Sequence, residues 1–372
     1  MRTTLFIWVF FFFAGCGKQP DWMEGAIHRD FQRYERRGVS RELLEKTWAS
    51  CKKYKEFLRY QIIDGNVYGP ESNIKYFLIE IAKRYPIPNV DFIYYNEDRI
   101  RKQFFKRKKH RQSAPIFVSA KEKNMDQVIL FAEWNYDIRN EDEGWNFLIR
   151  KVNEEAFRWP WKKKVNKLFW RGKPWDTQHF GEYSFANFKK FPRGFLVAES
   201  RKFPQWIDAA FSEYPDRCKY DPVRSEKEMG PIKAVPWEEV FHYKYQIILD
   251  GVTCSFPAAH WKLFSGCLSF KQESKNIEYF YGELKPWVHY VPLKQDLSDL
   301  YLKLQWAKEH DEEARQIASN AKEFVLTHLM PEHILLYGYK ALCKYATLQK
   351  FIPEKLDVDD PKSPPQLQGL YR

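Results

Sequence analysis

A chain of 372 residues with 61 Lys and Arg against 49 Asp and Glu carries a net charge of +12. Its length suits two domains of ordinary size, and 44% hydrophobic with 18% aromatic residues excludes a disordered chain. The charge points to an anionic partner, whether nucleotide diphosphate, anionic lipid, lipopolysaccharide or nucleic acid, and does not choose among them.

Residues 1–16 read as a targeting segment. Arg2 starts it, Leu5 to Phe13 is almost wholly apolar, and Phe13-Ala14-Gly15-Cys16 resembles a bacterial lipobox with Phe where Leu is usual. The apolar run is too short to span a bilayer comfortably, so a signal peptide is preferred, with an uncleaved anchor as the alternative. Residues 24–85 read as mostly helical, because Leu43, Leu44, Trp48 and Cys51 recur at helical spacing. Residues 88–98 (PNVDFIYYNED) read as a strand running into a polar end at Asp98. Sites in open α/β sheets lie beyond the carboxyl ends of strands. On the residues alone, a solvated loop acid is the plainer reading of Asp98.

The run RIRKQFFKRKKHR at 99–111 reads as a solvated or membrane-facing surface; a nucleic-acid patch is the rival reading. Residues 114–119 and 128–131 read as further strands, followed by Glu133 and Asp137 as reserve acids. Residues 159–164 (WPWKKK) read as a linker between halves, leading into a strand over 167–173.

Tyr245 to Leu249 is a short β-branched run that predicts a buried strand, broken by Asp250-Gly251. Pro257 suits the first turn of a helix running to about Gly266, and residues 267–271 form the next strand. Strand, Gly turn, helix, strand is a β-α-β unit whose turn offers backbone N–H groups to an anion. Two helices are expected between Asp296 and Leu329, the second opening at the acids 311–313, and Pro331 opens a last helix to about Leu348. His289, between Trp287, Val288 and Tyr290, reads as a packed structural histidine rather than a base. The tail from Ile352 reads as loose, and its Asp357-Val358-Asp359 is the lone D-x-D, too misplaced to be a metal motif. Six cysteines, Cys16, Cys51, Cys218, Cys254, Cys267 and Cys343, include no C-x-x-C pair and no zinc spacing.

The stretch D-G-V-T-C-S-F-P, then W-K-L-F-S-G, then F-K-Q-E-S, then F-Y-G-E-L-K-P-W-V-H-Y-V-P-L-K with D-L-S beyond it, resembles the signature of glycosyltransferase family 90. This family holds the Rumi-like protein O-glucosyltransferases and relatives that modify capsule and lipopolysaccharide. The similarity runs from about residue 86 to about residue 346. It implies an α/β chain of GT-B type, with two Rossmann-like domains facing a cleft and a C-terminal helix returning to the first. The expected divisions are 24–163 for the acceptor side, 164–330 for the nucleotide-sugar side, 331–350 for the returning helix and 351–372 for the tail.

The resemblance implies a UDP-sugar donor, commonly glucose or xylose, inverting transfer without metal or other cofactor, and Asp98 as general base. It places Arg193 at the donor diphosphate, with Lys173, Lys262 and the loop Asp250, Gly251, Val252, Thr253, Cys254, Ser255 and Phe256 around it. Two departures matter. The protein O-glucosyltransferases carry an Arg after Ser-Phe where this chain has Pro257, so the cation must come from elsewhere, for example Lys262. Ala132-Glu133-Trp134 stands where the family has a Pro-Trp-like pair. The acceptor implied is a surface glycan such as lipopolysaccharide or capsule, with a protein serine as the alternative. Membrane association or export follows from residues 1–16, a lumenal compartment being the other option. The rivals from other classes are a basic nucleic-acid-binding protein and a glycan binder without transferase activity.

Overall fold

The computed structural model describes residues 22–98, 100, 104–105, 112–132, 144–174, 184–216 and 218–355. The targeting segment, most of the basic run 99–111, Glu133, Asp137 and Asp357 to Asp359 lie outside the described residues.

The first half runs α1 (Trp22–Phe31), α2 (Arg41–Cys51), β1 (Phe57–Ile63), β2 (Asn66–Tyr68), α3 (Asn73–Arg84), β3 (Val90–Tyr95), β4 (Ile116–Val118), β5 (Lys121–Glu122), β6 (Val128–Leu130) and α4 (Trp145–Arg158). Its five-stranded sheet has the order β2-β1-β3-β4-β6. The strands β3, β4 and β6 are mutually parallel, while β1 runs antiparallel to both β2 and β3.

The expectation of a mostly helical 24–85 holds in α1, α2 and α3 but missed β1 and β2. The cause is the polar face of β1. Arg59 and Gln61 are buried rather than solvated, because both bind the buried carboxylate of Asp91: Arg59 Nε and Nη2 donate to its two oxygens at 2.8 and 2.7 Å, and Gln61 Nε2 donates at 2.8 Å. A strand whose polar residues face a buried ion pair does not show the usual apolar-in, polar-out alternation.

The second half runs β7 (Val165–Gly172), α5 (Pro192–Lys202), β8 (Ile207–Phe211), α6 (Pro222–Met229), β9 (Tyr243–Ile248), α7 (Ala258–Phe264), β10 (Leu268–Gln272), β11 (Asn276–Ile277), β12 (Val291–Leu293), α8 (Leu300–Glu309), α9 (Asp311–His328) and α10 (Pro331–Leu348). Its sheet is parallel throughout, in the order β12-β10-β9-β7-β8. Parallel strands need crossovers, and the helices between them bury both sheet faces.

The two halves meet through more than a linker. β11 pairs antiparallel with β5, and Lys123 N–H donates to Lys275 O at 2.8 Å. The first core continues through Leu263, Tyr279 and Phe280 of the second half. α10 packs back on α1 and α3, so the C-terminal helix returns to the first half. This is the GT-B arrangement that the sequence implied. Tyr345 Oη donates to Asp91 O at 2.7 Å, and Asp91 N–H donates to Gln349 Oε1 at 2.9 Å, tying the end of that helix to β3.

Gly338 makes the close approach of α10 to α3 feasible. A Cβ there would meet Ile81 Cδ1 at 2.7 Å and Phe77 Cε1 at 3.1 Å. Gly338→Leu is expected to cost about 1–3 kcal/mol through overpacking. Denaturant unfolding checks this, and a midpoint equal to that of the unaltered chain contradicts the tight docking.

Candidate active site

The carboxyl ends of β7 and β9 place four of the expected residues together. The guanidinium of Arg193, in the first turn of α5, reaches across both strand ends. Its Nη1 donates to Lys173 O at 2.9 Å, Nε to Asp250 O at 3.0 Å and Nη2 to Leu249 O at 3.2 Å. Its flat face lies 5.8 Å from the Trp170 ring. Three backbone carbonyls accept from it, and the planar fork stays protonated at any working pH.

Gly251 lies directly beneath. A Cβ there would come within 2.9 Å of Arg193 Nη2, so any larger residue would press on the guanidinium. Gly251 N–H donates to Thr253 O at 3.0 Å, turning the loop back on itself. Thr253, Cys254 and Ser255 are buried, and Val252 and Phe256 half-buried. The buried Asp250 carboxylate anchors the loop from behind. It accepts from Asn276 Nδ2 at 2.9 Å and from the Ser274 hydroxyl. Burial pushes this carboxyl up, while Lys271, Ser274, Asn276 and Arg193 oppose the shift.

Lys262 and Lys173 take different positions. Lys262 is buried, and its Nζ donates to Ile247 O at 2.8 Å, inside the sheet. Burial, with Arg193 nearby, pulls its pKa down to about 7. Lys173 is exposed, with Nζ 3.6 Å from Glu213. Arg171 is a structural ion pair: Nη2 donates to Asp208 Oδ1 at 2.7 Å.

Asp98 follows β3 by three residues, at the carboxyl edge of the first sheet. Its side chain is open to solvent, yet the protein mass around it raises its pKa above the ordinary aspartate range. Glu97 is also raised, by burial first and then by the charges of Asp98 and Glu56. The two histidines near the motif are packing groups. His260 lies buried, its ring 5.9 Å from that of Trp145 and 4.6 Å from that of Phe280, and burial lowers it to about 3. His289 Nδ1 accepts from Lys285 N–H at 3.1 Å, closing a turn.

Sequence reading passed over Lys271, Ser274, Asn276 and Glu278, which surround Asp250 or stand beside it. The available signal was their place at and just beyond β10, at the strand ends where α/β sites form.

The Glycosyl transferase family 90 model matches residues 18–360. Protein O-glucosyltransferase 2 of Danio rerio is 37% identical over 210 residues, covering 54% of this chain and 37% of its own length. Protein O-glucosyltransferase 3 of Homo sapiens is 36% identical over 197 residues, 53% of this chain and 35% of its own. The chain therefore spans about a third of the length of these relatives. Protein O-glucosyltransferase 1 of Bos taurus is 27% identical over 339 residues, 87% of this chain and 79% of its own. Among solved structures, Anabaena HepE in complex with UDP-glucose aligns at 8% identity with a TM-score of 0.42, over 74% of this chain and 76% of that one.

Proposed function

This chain belongs to glycosyl transferase family 90, and from that premise we propose that it moves glucose or xylose from a UDP-sugar to an acceptor hydroxyl with inversion. The observation that carries this reading is the Arg193 guanidinium held over the Gly251 loop at the ends of β7 and β9. A fixed cation at the strand ends suits a diphosphate leaving group.

Asp98 is the general base. Its carboxylate takes the proton from the acceptor hydroxyl as that oxygen attacks the anomeric carbon. The bond from the anomeric carbon to the diphosphate oxygen breaks, and its electron pair leaves with UDP. One carboxylate suffices, unlike the pair of a glycoside hydrolase. Similarity to protein O-glucosyltransferases favours a protein hydroxyl as acceptor over a surface glycan.

The test is transfer by the purified chain from UDP-glucose and from UDP-xylose to a peptide serine and to a lipopolysaccharide core. Absence of both transfer and slow donor hydrolysis refutes the reading. The leaving charge is met by Arg193, so a chelator is expected to leave turnover unchanged; loss of turnover that added metal restores contradicts a metal-independent reaction.

The pH dependence follows from the raised pKa of Asp98. The base must be ionised, and a raised pKa means that protonation begins sooner as pH falls. The acid limb of kcat/KM is thus expected above the roughly 3.9 of a free aspartate. A limb at or below that value removes Asp98 as the base.

A further inference from the structure

Three half-buried histidines come together where the second half hands the chain back to the first. His328 ends α9, His333 lies in the first turn of α10, and His289 closes the turn before β12. The Phe324 ring links two of them, 4.9 Å from the rings of both His289 and His328. Trp22 of α1 packs edge-on against His328 at 6.1 Å and stacks on Tyr279 and Tyr337. The junction therefore joins α1 and the α9–α10 corner to a turn of the second half.

The direction of the hydrogen bonds fixes the charge state. Trp22 Nε1–H donates to His328 Nδ1 at 3.3 Å, and Lys285 N–H donates to His289 Nδ1 at 3.1 Å. An indole and a backbone amide N–H can only donate, so both imidazoles must accept at Nδ1, and an imidazolium cannot. His333 Nδ1 is buried without a hydrogen-bond partner among the described residues. The His289 turn also holds Trp287 at φ +64°, a conformation that costs a bulky residue energy, so the turn depends on the bonds that close it.

The surrounding charges weigh against a proton. Lys285 and His328 oppose a charge on His289, and His333 opposes one on His328, while Glu332 favours one on His333. Other ionic groups on these helices are engaged elsewhere. Glu24 of α1 binds Lys340 of α10 at 2.7 Å, His28 binds Glu35 at 3.0 Å, and Glu323 accepts from the Thr327 hydroxyl at 3.2 Å. Lys322 lies over the Phe264 ring, and Arg29 lies beside Gly282. Burial lowers all three histidines below their ordinary range.

We propose that this cluster is an acid-sensitive latch between the halves. Neutral histidines clasp α1 and the 285–290 turn to the α9–α10 corner, and a proton on His328 or His289 releases them. The latch stands apart from the transfer chemistry and does not depend on it. In the open junction a histidine titrates near the ordinary value of about 6.5, and in the closed junction below it. The closed state is thus fully favoured above about pH 6.5 and loses ground as pH falls towards the closed-state values. The opening constant rises by up to about tenfold per pH unit for each histidine.

Hydrogen exchange of the full chain, followed by mass spectrometry from about pH 7.5 to about pH 5.5 and corrected for intrinsic rates, reads the latch locally. A local reading is needed because buried His260 gives global unfolding the same sense of pH dependence. Protection of α1 and of residues 285–290 is expected to fall about tenfold or more over this range, while that of β9 and β10 holds. His328→Asn and His289→Asn each put a carboxamide oxygen near the place of Nδ1 but cannot take a proton. Each is expected to keep the protection seen at the upper pH and to flatten its pH dependence. Protection independent of pH in the unaltered chain, or an unaltered slope in both variants, overturns the proposal. If the variants fail to fold, NMR titration of the His328 and His289 ring protons in the unaltered chain decides. Values below about 6.5 support the latch, and values at or above it overturn the proposal.

Discussion

Asp98→Asn is expected to lower turnover by about 10²–10⁴-fold, the usual contribution of a positioned general base. Asparagine keeps the size and much of the hydrogen-bonding shape of the carboxyl but cannot take a proton. Donor affinity is expected to be unchanged or slightly improved, since the donor loop belongs to the other sheet and the lost charge would repel a diphosphate. The signature is therefore a fall in kcat without a matching rise in donor Kd, as for a group that acts only in the transition state. Folding is not at risk, because the side chain is solvent-open and follows β3 rather than lying in it. Glu97→Gln is the local control. Glu97 is raised partly by Asp98, so the two acids feel each other, yet only Asp98 is assigned the proton. Turnover within a few-fold of the unaltered enzyme after Asp98→Asn moves the base to Glu133 or Asp137.

Arg193→Ala is expected to weaken UDP binding by roughly 1.5–3 kcal/mol, about 10- to 150-fold, through loss of a charge-assisted contact to the diphosphate. Part of the loss has a second origin. Arg193 also gathers the carbonyls of Lys173, Leu249 and Asp250, and without it the strand ends lose a shared donor. Arg193→Lys separates the two effects. An ammonium restores the charge but not the planar fork that spans three carbonyls, so partial recovery is expected. Arg193 also depresses the pKa of Lys262, which is expected to rise in the alanine variant. Calorimetric UDP affinity equal to that of the unaltered chain removes Arg193 from the site.

The sequence by itself determined the local units of the second half. The strand at Tyr243–Ile248, the helix after Pro257, the strand at Leu268–Gln272 and the last helix at Pro331–Leu348 all fall where apolar runs meet Gly and Pro. These boundaries are local, since a proline or a glycine restricts or frees the backbone whatever surrounds it. The long ordered motif also carried the family, and with it the two-domain arrangement.

Only the tertiary structure decided where charge and polarity go. β1 was hidden because Arg59 and Gln61 are buried against Asp91, a partner some thirty residues away on another strand. Lys262 reads in sequence as a cation for the diphosphate, but its ammonium donates to Ile247 O inside the sheet. Glu278, which the sequence reading passed over, lies buried on the wall of the cavity between the halves. A charged side chain reaches several ångströms from its own backbone, and its energy is set by the dielectric and the partners it finds there. The chain order of neighbouring residues holds no record of those partners, because they arrive from strands and helices brought together only by the fold.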